Sequence, residues 1–281
     1  MKDITKLRKI LESRFANRYC NLSDISLCKK EHCECKVAAE IKAYILSVIP
    51  KQYHTLSIED FTGKTSSEEL LSAAVAIEAK SKLVEYCWGT NLETFNLWDK
   101  KQRFDHSILD KQKYIGRNVV IYSDTEKSMK PFEEKNKNES VSKRGKTMVA
   151  SLIMKEAIRN RIKPGHYLET YDWIEFSVLL NALRDKDTDM NNVKSSDWLV
   201  VDDIRGINNS KSMDSFISSI VDPFFSERIQ LNLPTILVFR FDINDPMFAL
   251  EDKFGVAISQ IVDDPKTLCI SLCEEKINGQ R

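Results

Sequence analysis

Apolar positions along the chain fall into two alternating kinds of pattern. Short apolar runs occupy 118–122, 167–170, 198–201, 235–241 and 268–272, and stretches with helical spacing lie between them at 147–159, 173–183, 213–225 and 247–254. Runs of four to seven apolar residues bounded by polar turns predict buried strands, and their regular alternation with helix-period segments predicts a parallel sheet covered on both faces. Upstream, Ile4, Leu7, Ile10, Leu11 and Phe15 predict a short amphipathic helix. A second helical pattern at 37–48 ends at Ile49-Pro50, because the residue before a proline avoids helical backbone. Residues 51–65 read as an extended connector. A helix start at Ser66-Ser67-Glu68-Glu69 leads through Leu70, Leu71, Ala74, Ile77 and Leu83 toward Cys87. The polar stretches 125–144 and 184–196 predict mobile surface loops. The resulting division is an N-terminal helical and cysteine module (1–50), a connector and helix (51–110) and an α/β core (111–281).

The 281 residues carry 42 Lys+Arg against 42 Asp+Glu, so bulk charge does not advertise nucleic acid and any DNA contact must come from a local patch. No apolar stretch approaches the ~18 residues of a membrane span, and residues 1–10 lack the apolar centre of a signal peptide, which predicts a cytoplasmic protein with no membrane partner. Seven cysteines in a reducing compartment do not suggest a disulfide framework. Four of them, Cys20, Cys28, Cys33 and Cys35, fall within sixteen residues, which suits four thiolate ligands of a structural zinc ion. His32 is a substitute ligand, and an iron-sulfur cluster or free thiols are the other readings.

Gly145-Lys146-Thr147 opens a helix-period run downstream of the apolar run at 118–122, the context of a phosphate-binding loop. There, backbone N–H groups at the helix start cradle phosphate oxygens, Lys146 reaches the terminal phosphates and the Thr147 hydroxyl binds magnesium. The match departs from the full pattern, which has Gly where Ser140 stands, and more than twenty residues separate the strand from Gly145. A second Gly-Lys-Thr at 63–65 has no strand before it. The run Trp198-Leu199-Val200-Val201 ends in Asp202 and Asp203, as a strand must where carboxylates meet magnesium at the carboxyl edge of a parallel sheet. Asp202 would hold the metal and Asp203 would orient or deprotonate the attacking water. The bland alternatives are a helix start on a charged loop and a strand leaving the core through a polar turn.

The order of these pieces resembles the DnaC/DnaI/IstB group of AAA+ ATPases. The similar segments are Ile49 through Phe61, Pro164 to Asp185, Asp197 to Ile204, and Glu227-Arg228 through Pro234-Thr235-Ile236, together covering about residues 33–272. The resemblance implies a P-loop AAA+ core with a central parallel five-stranded sheet, and a zinc module closed by Cys33-Glu34-Cys35 that grips the partner. It also implies ATP-dependent self-association into a homo-oligomer and a replicative helicase as partner, in phage or mobile-element DNA replication. Under it, Arg228 would reach a neighbour's nucleotide. Two departures stand out: Phe239 and Arg240 occupy the sensor-strand end where the group carries a small polar residue and Asn, and no second-sensor arginine occurs near 253–260. These leave open an ATPase, a degenerate P-loop adaptor that binds without hydrolysing, and an IstB-like transposition regulator. Trp98 to Phe104 mixes bases with aromatics and is the candidate single-stranded DNA contact, with a solvated loop as its alternative.

Overall fold

A computed structural model describes residues 34–56, 58, 78–83, 118–122, 145–161, 170–185, 188–205, 211–244 and 249–272. Five strands form one sheet: β1 (Val119–Tyr122), β2 (Tyr171–Glu175), β3 (Trp198–Ile204), β4 (Thr235–Phe239) and β5 (Leu268–Ser271). Their order is β2-β3-β4-β1-β5, and every neighbouring pair is parallel. The helices are α1 (Glu34–Val48), α2 (Lys146–Arg161), α3 (Phe176–Arg184), α4 (Asn191–Lys194), α5 (Lys211–Gln230), α6 (Leu250–Phe254) and α7 (Val256–Asp263).

Strand alternation divides the core into two layers. Val119, Ile121, Val200, Ile236, Val238 and Ile270 point to one face, where they pack with Met148, Leu152 and Ile153 of α2 and Ile45 of α1. Val120, Leu199, Val201, Leu237 and Phe239 point to the other, against Leu179 of α3, Val221 and Phe225 of α5, and Ile258 of α7. A strand buried on both faces must be apolar at consecutive positions, which is why the central runs were readable as continuous blocks. Among the described residues no helix is long and apolar enough to cross a membrane.

Three expectations are corrected. The second strand lies at Tyr171–Glu175, beyond the apolar run at 167–170, and its helix begins at Phe176. Trp173 and Ile174, read as the first helical turn, belong to the strand and pack against opposite core layers. Their spacing to Phe176 and Leu179 imitates a helical period. The segment 184–196 is not a plain surface loop, because it contains α4, and Met190 and Val193 pack against the core. The helix expected at 247–254 is observed as α6 and is followed at once by α7.

The break between α6 and α7 is made by Gly255, whose φ of 94° lies in the region that only glycine adopts without strain. A β-carbon there would sit 2.5 Å from Asp222 Oδ1, the oxygen that accepts a 2.7 Å hydrogen bond from the Ala257 backbone N–H at the start of α7. Gly255→Ala should therefore combine backbone strain with loss of that cap and destabilise the fold by about 2–3 kcal/mol. An unchanged urea midpoint in the variant would contradict this account.

Lys155, on the buried side of α2, holds the connector to the core. Its ammonium donates to the carbonyls of Tyr53 (2.9 Å), His54 (3.1 Å) and Leu56. The His54 ring is likewise engaged locally, with Nε2 2.7 Å from the Ile49 carbonyl oxygen. Tyr44 of α1 meets Tyr171 of β2 edge to face, with ring centroids 5.5 Å apart.

Candidate nucleotide site at the carboxyl edge of the sheet

Helix α2 packs against β1, β3 and β4, and its first residues stand over the ends of these strands. Gly145, at φ 78°, turns the chain into the helix and is buried. A residue with a β-carbon would strain this turn. Its carbonyl oxygen accepts the first bond of the helix, from the Val149 N–H at 2.9 Å. Lys146 is 3% exposed.

The two halves of the expected site meet. Thr147 Oγ1 lies 3.4 Å from Asp202 Oδ1, across 55 residues of sequence. The same Asp202 oxygen accepts the Asp203 backbone N–H at 2.8 Å. Burial pushes the Asp202 carboxyl up to about 6; the Thr147 hydroxyl and the charges of Arg240 and Lys146 oppose the rise, while Glu175 adds to it. Glu175 is the register partner of Asp202 on β2, so the two carboxylates lie side by side on adjacent strands. A hydroxyl and a buried carboxylate are the hard oxygen donors that Mg2+ takes. The donor set therefore fits magnesium, which Thr147 and Asp202 would hold.

Asp203 is held differently. Between Val201 and Ile204, β3 advances three residues while β4 advances two, from Leu237 to Phe239. This is a β-bulge, and Asp203 carries it at φ 65°. Positive φ at a residue other than glycine is uncommon and concentrates at functional positions. Arg205 Nε and Nη2 donate to Asp203 Oδ2 at 3.0 and 2.7 Å, and Arg240 Nε pairs with Asp203 Oδ1. The Arg240 N–H also bonds the Ile204 carbonyl at 2.8 Å, extending the β3–β4 ladder just past the bulge.

Arg228 requires a correction. The resemblance sends it to a neighbour's nucleotide, yet its side chain is fully buried within its own chain. Its Nε donates to Thr235 Oγ1 at 3.0 Å, Nη1 to the carbonyls of Lys194 and Ser196 at 2.8 Å each, and Nη2 to the Pro234 carbonyl at 2.8 Å. These partners precede or open β3 and β4, so Arg228 sits at the amino-terminal edge of the sheet, opposite Asp202. Burial lowers it to about 10, against the opposing pull of Asp172 and Asp197.

Sequence reasoning missed Glu175 and Arg205. Placing the second strand at 167–170 hid Glu175, whereas Arg205 follows the acid pair so closely that it passes for part of the polar turn. Cys20, Cys28 and Cys33 lie outside the described residues, as does the side chain of Cys35, whose backbone belongs to the first turn of α1. The segments 63–65 and 98–104 also lie outside them.

Helix α2, opened by Lys146 and Thr147, follows β1, the acid pair lies near the carboxyl end of β3, and β4 lies between these strands in the sheet. The fold is a five-stranded parallel α/β sheet with helices on both faces. No protein-family model matches the sequence, and no curated protein matches it. Among solved structures, the chain is similar to the DnaC helicase loader at 14% identity, with 79% of this chain and 99% of that chain covered and a TM-score of 0.44. It is similar to a protein described as a primosome component from Streptococcus pyogenes serotype M3 at 12% identity, over 85% and 98% of the two chains, with a TM-score of 0.45. It is also similar to DnaI at 14% identity, over 80% and 94%, with a TM-score of 0.42.

Proposed function

We propose that the chain binds ATP with magnesium at the start of α2 and serves as a helicase loader of the DnaC/DnaI kind. The observation that carries the nucleotide reading is the 3.4 Å approach of Thr147 Oγ1 to Asp202 Oδ1, because a bare Gly-Lys-Thr and a bare acid pair would have no reason to meet. The N-terminal end of α2 offers backbone N–H groups and a partial positive charge to phosphate oxygens. Lys146 supplies a cation beside Asp202 for the terminal phosphates. Magnesium, held by Thr147 and Asp202, would supply positive charge against the phosphates.

In hydrolysis, the water oxygen would bond to the terminal phosphorus as the bond to the bridging oxygen breaks, giving ADP and inorganic phosphate. Asp203 would take the water's proton and pass it to phosphate or solvent. The loader role rests on the resemblance in segment order, and with it come a replicative helicase partner, self-association on ATP and a zinc-bound cysteine module as the partner grip. Lys146→Ala should weaken MgATP binding at least tenfold, measured by titration calorimetry on the full chain, with the fold intact by circular dichroism. Equal affinity in the variant and wild type would remove the nucleotide reading. Pull-down of a hexameric replicative helicase would test the partner; capture of a transposase instead would favour the IstB-like reading.

A second reading is favoured by one observation, the capture of Asp203 by two arginines. On it, the chain binds nucleotide as an adaptor without turnover.

A further inference from the structure

We propose that Arg240 and Arg205 form a brake on ATP turnover, holding Asp203 closed so that hydrolysis waits on release of the clamp. This rests on the nucleotide reading above and concerns how that same site is regulated.

Asp203 Oδ2 accepts the forked hydrogen bonds from Arg205, while the buried Oδ1 accepts no hydrogen bond and is held by its charge pair with Arg240. A water-orienting carboxylate needs an oxygen turned toward the water. Charge-assisted pairs to guanidinium are among the stronger hydrogen bonds, and a planar fork also fixes the direction in which the carboxylate faces.

The backbone is arranged to bring the cations there. The bulge at Asp203 adds one residue to β3, and the bond from the Arg240 N–H to the Ile204 carbonyl ties the strand ends together just past it. One arginine therefore comes from the chain leaving β3 and the other from the chain leaving β4. An aspartate at φ 65° resists this geometry, and the two ion pairs are what offset its strain.

The clamp can also open. The side chains of Arg205 and Arg240 are 58% and 39% exposed, while that of Asp203 is 15% exposed, so the cations swing toward solvent more readily than the acid. Arg240 lies near enough to Asp202 to oppose the rise in its pKa, and hence beside the proposed phosphate position. A terminal phosphate is an anion able to compete with Asp203 for that guanidinium.

The test uses the full chain with MgATP, measuring steady-state phosphate release and nucleotide affinity for wild type, Arg240→Gln, Arg205→Gln, Arg240→Lys and the double variant Arg240→Gln/Asp203→Asn. The brake predicts that Arg205→Gln binds nucleotide as wild type does, that Arg240→Gln, which also loses a phosphate contact, binds it at most about tenfold more weakly, and that each turns over roughly fivefold faster or more at saturating MgATP, the scale set by losing one partly exposed ion pair. Arg240→Lys should fall between them, and the double variant should be inactive. Nucleotide binding serves as the check on folding, and Arg205→Gln, at the more exposed site, keeps the test valid if Arg240→Gln fails that check. Turnover equal to or below wild type in a glutamine variant with intact binding would overturn the brake while leaving the nucleotide reading standing. Absence of MgATP binding in the wild-type chain would overturn both.

Discussion

Replacing Arg228 with methionine is expected to destabilise the protein by about 3–5 kcal/mol, measured by urea unfolding at neutral pH. The guanidinium is fully buried and donates to one hydroxyl and three carbonyl oxygens, which join the loop after α4 to the segment before β4. Methionine fills much of the volume but leaves these acceptors without their donor, and a buried polar group left unpaired costs far more than a surface one. Lysine should not rescue the variant, since a single ammonium cannot reach acceptors on opposite sides of a planar fork. Burial also pushes Asp172 upward while Arg228 pulls it down, so losing the arginine removes a counter-charge as well. A shift below about 0.5 kcal/mol would show that the side chain is dispensable to the fold, and would return it to consideration as a contact to a neighbouring chain.

The second large effect concerns Asp202, where stability and the proposed chemistry pull in opposite directions. Its carboxyl is raised from 3.8 to about 6, so the fold favours the protonated acid. That contribution is complete below the unfolded value of 3.8 and is lost as the pH rises through about 6. The gap corresponds to roughly 3 kcal/mol at ~1.36 kcal/mol per tenfold, an upper scale for what ionisation costs the magnesium-free protein. Asp202→Asn keeps an oxygen able to accept from Thr147 and from the Asp203 N–H, but never ionises. In magnesium-free buffer the variant should therefore match wild type near pH 4 and exceed it by about 1–3 kcal/mol at pH 8. The same substitution should abolish the magnesium dependence of nucleotide binding. Equal stability of the two proteins at both pH values would mean that Asp202 carries no burial penalty.

Much of this arrangement could be read from residues, and the failures have physical causes. Strands β1, β3 and β4 announce themselves because burial on both faces forces consecutive apolar positions, whereas β5, an edge strand with one fully buried residue, is legible only from its short apolar run. At β2 the pattern is mixed, because the strand lies at the sheet edge and Asp172 and Trp173 are only partly buried. The order of strands in the sheet is given by the fold, since periodicity says nothing about which strands are neighbours. Gly145, Lys146, Thr147, Asp202 and Asp203 were legible as two motifs, and their meeting is a property of the fold. Arg205 and Arg240 illustrate the limit: nothing in one dimension reveals that a bulge turns Asp203 toward both. Arg228 was misassigned for a related reason, because an arginine at a helix end looks the same in sequence whether it faces solvent or the core.

Lys155 carries a mechanical implication. It stands nine residues after Lys146 on one unbroken helix, about 13.5 Å along the axis. Because its ammonium grips the peptide oxygens of Tyr53, His54 and Leu56 in the chain arriving from α1, that chain has no slack where it crosses the helix. A tug on the N-terminal part would reach the helix as load on a rigid rod, with the lysine as its rivet and the end at Lys146-Thr147 as its far end.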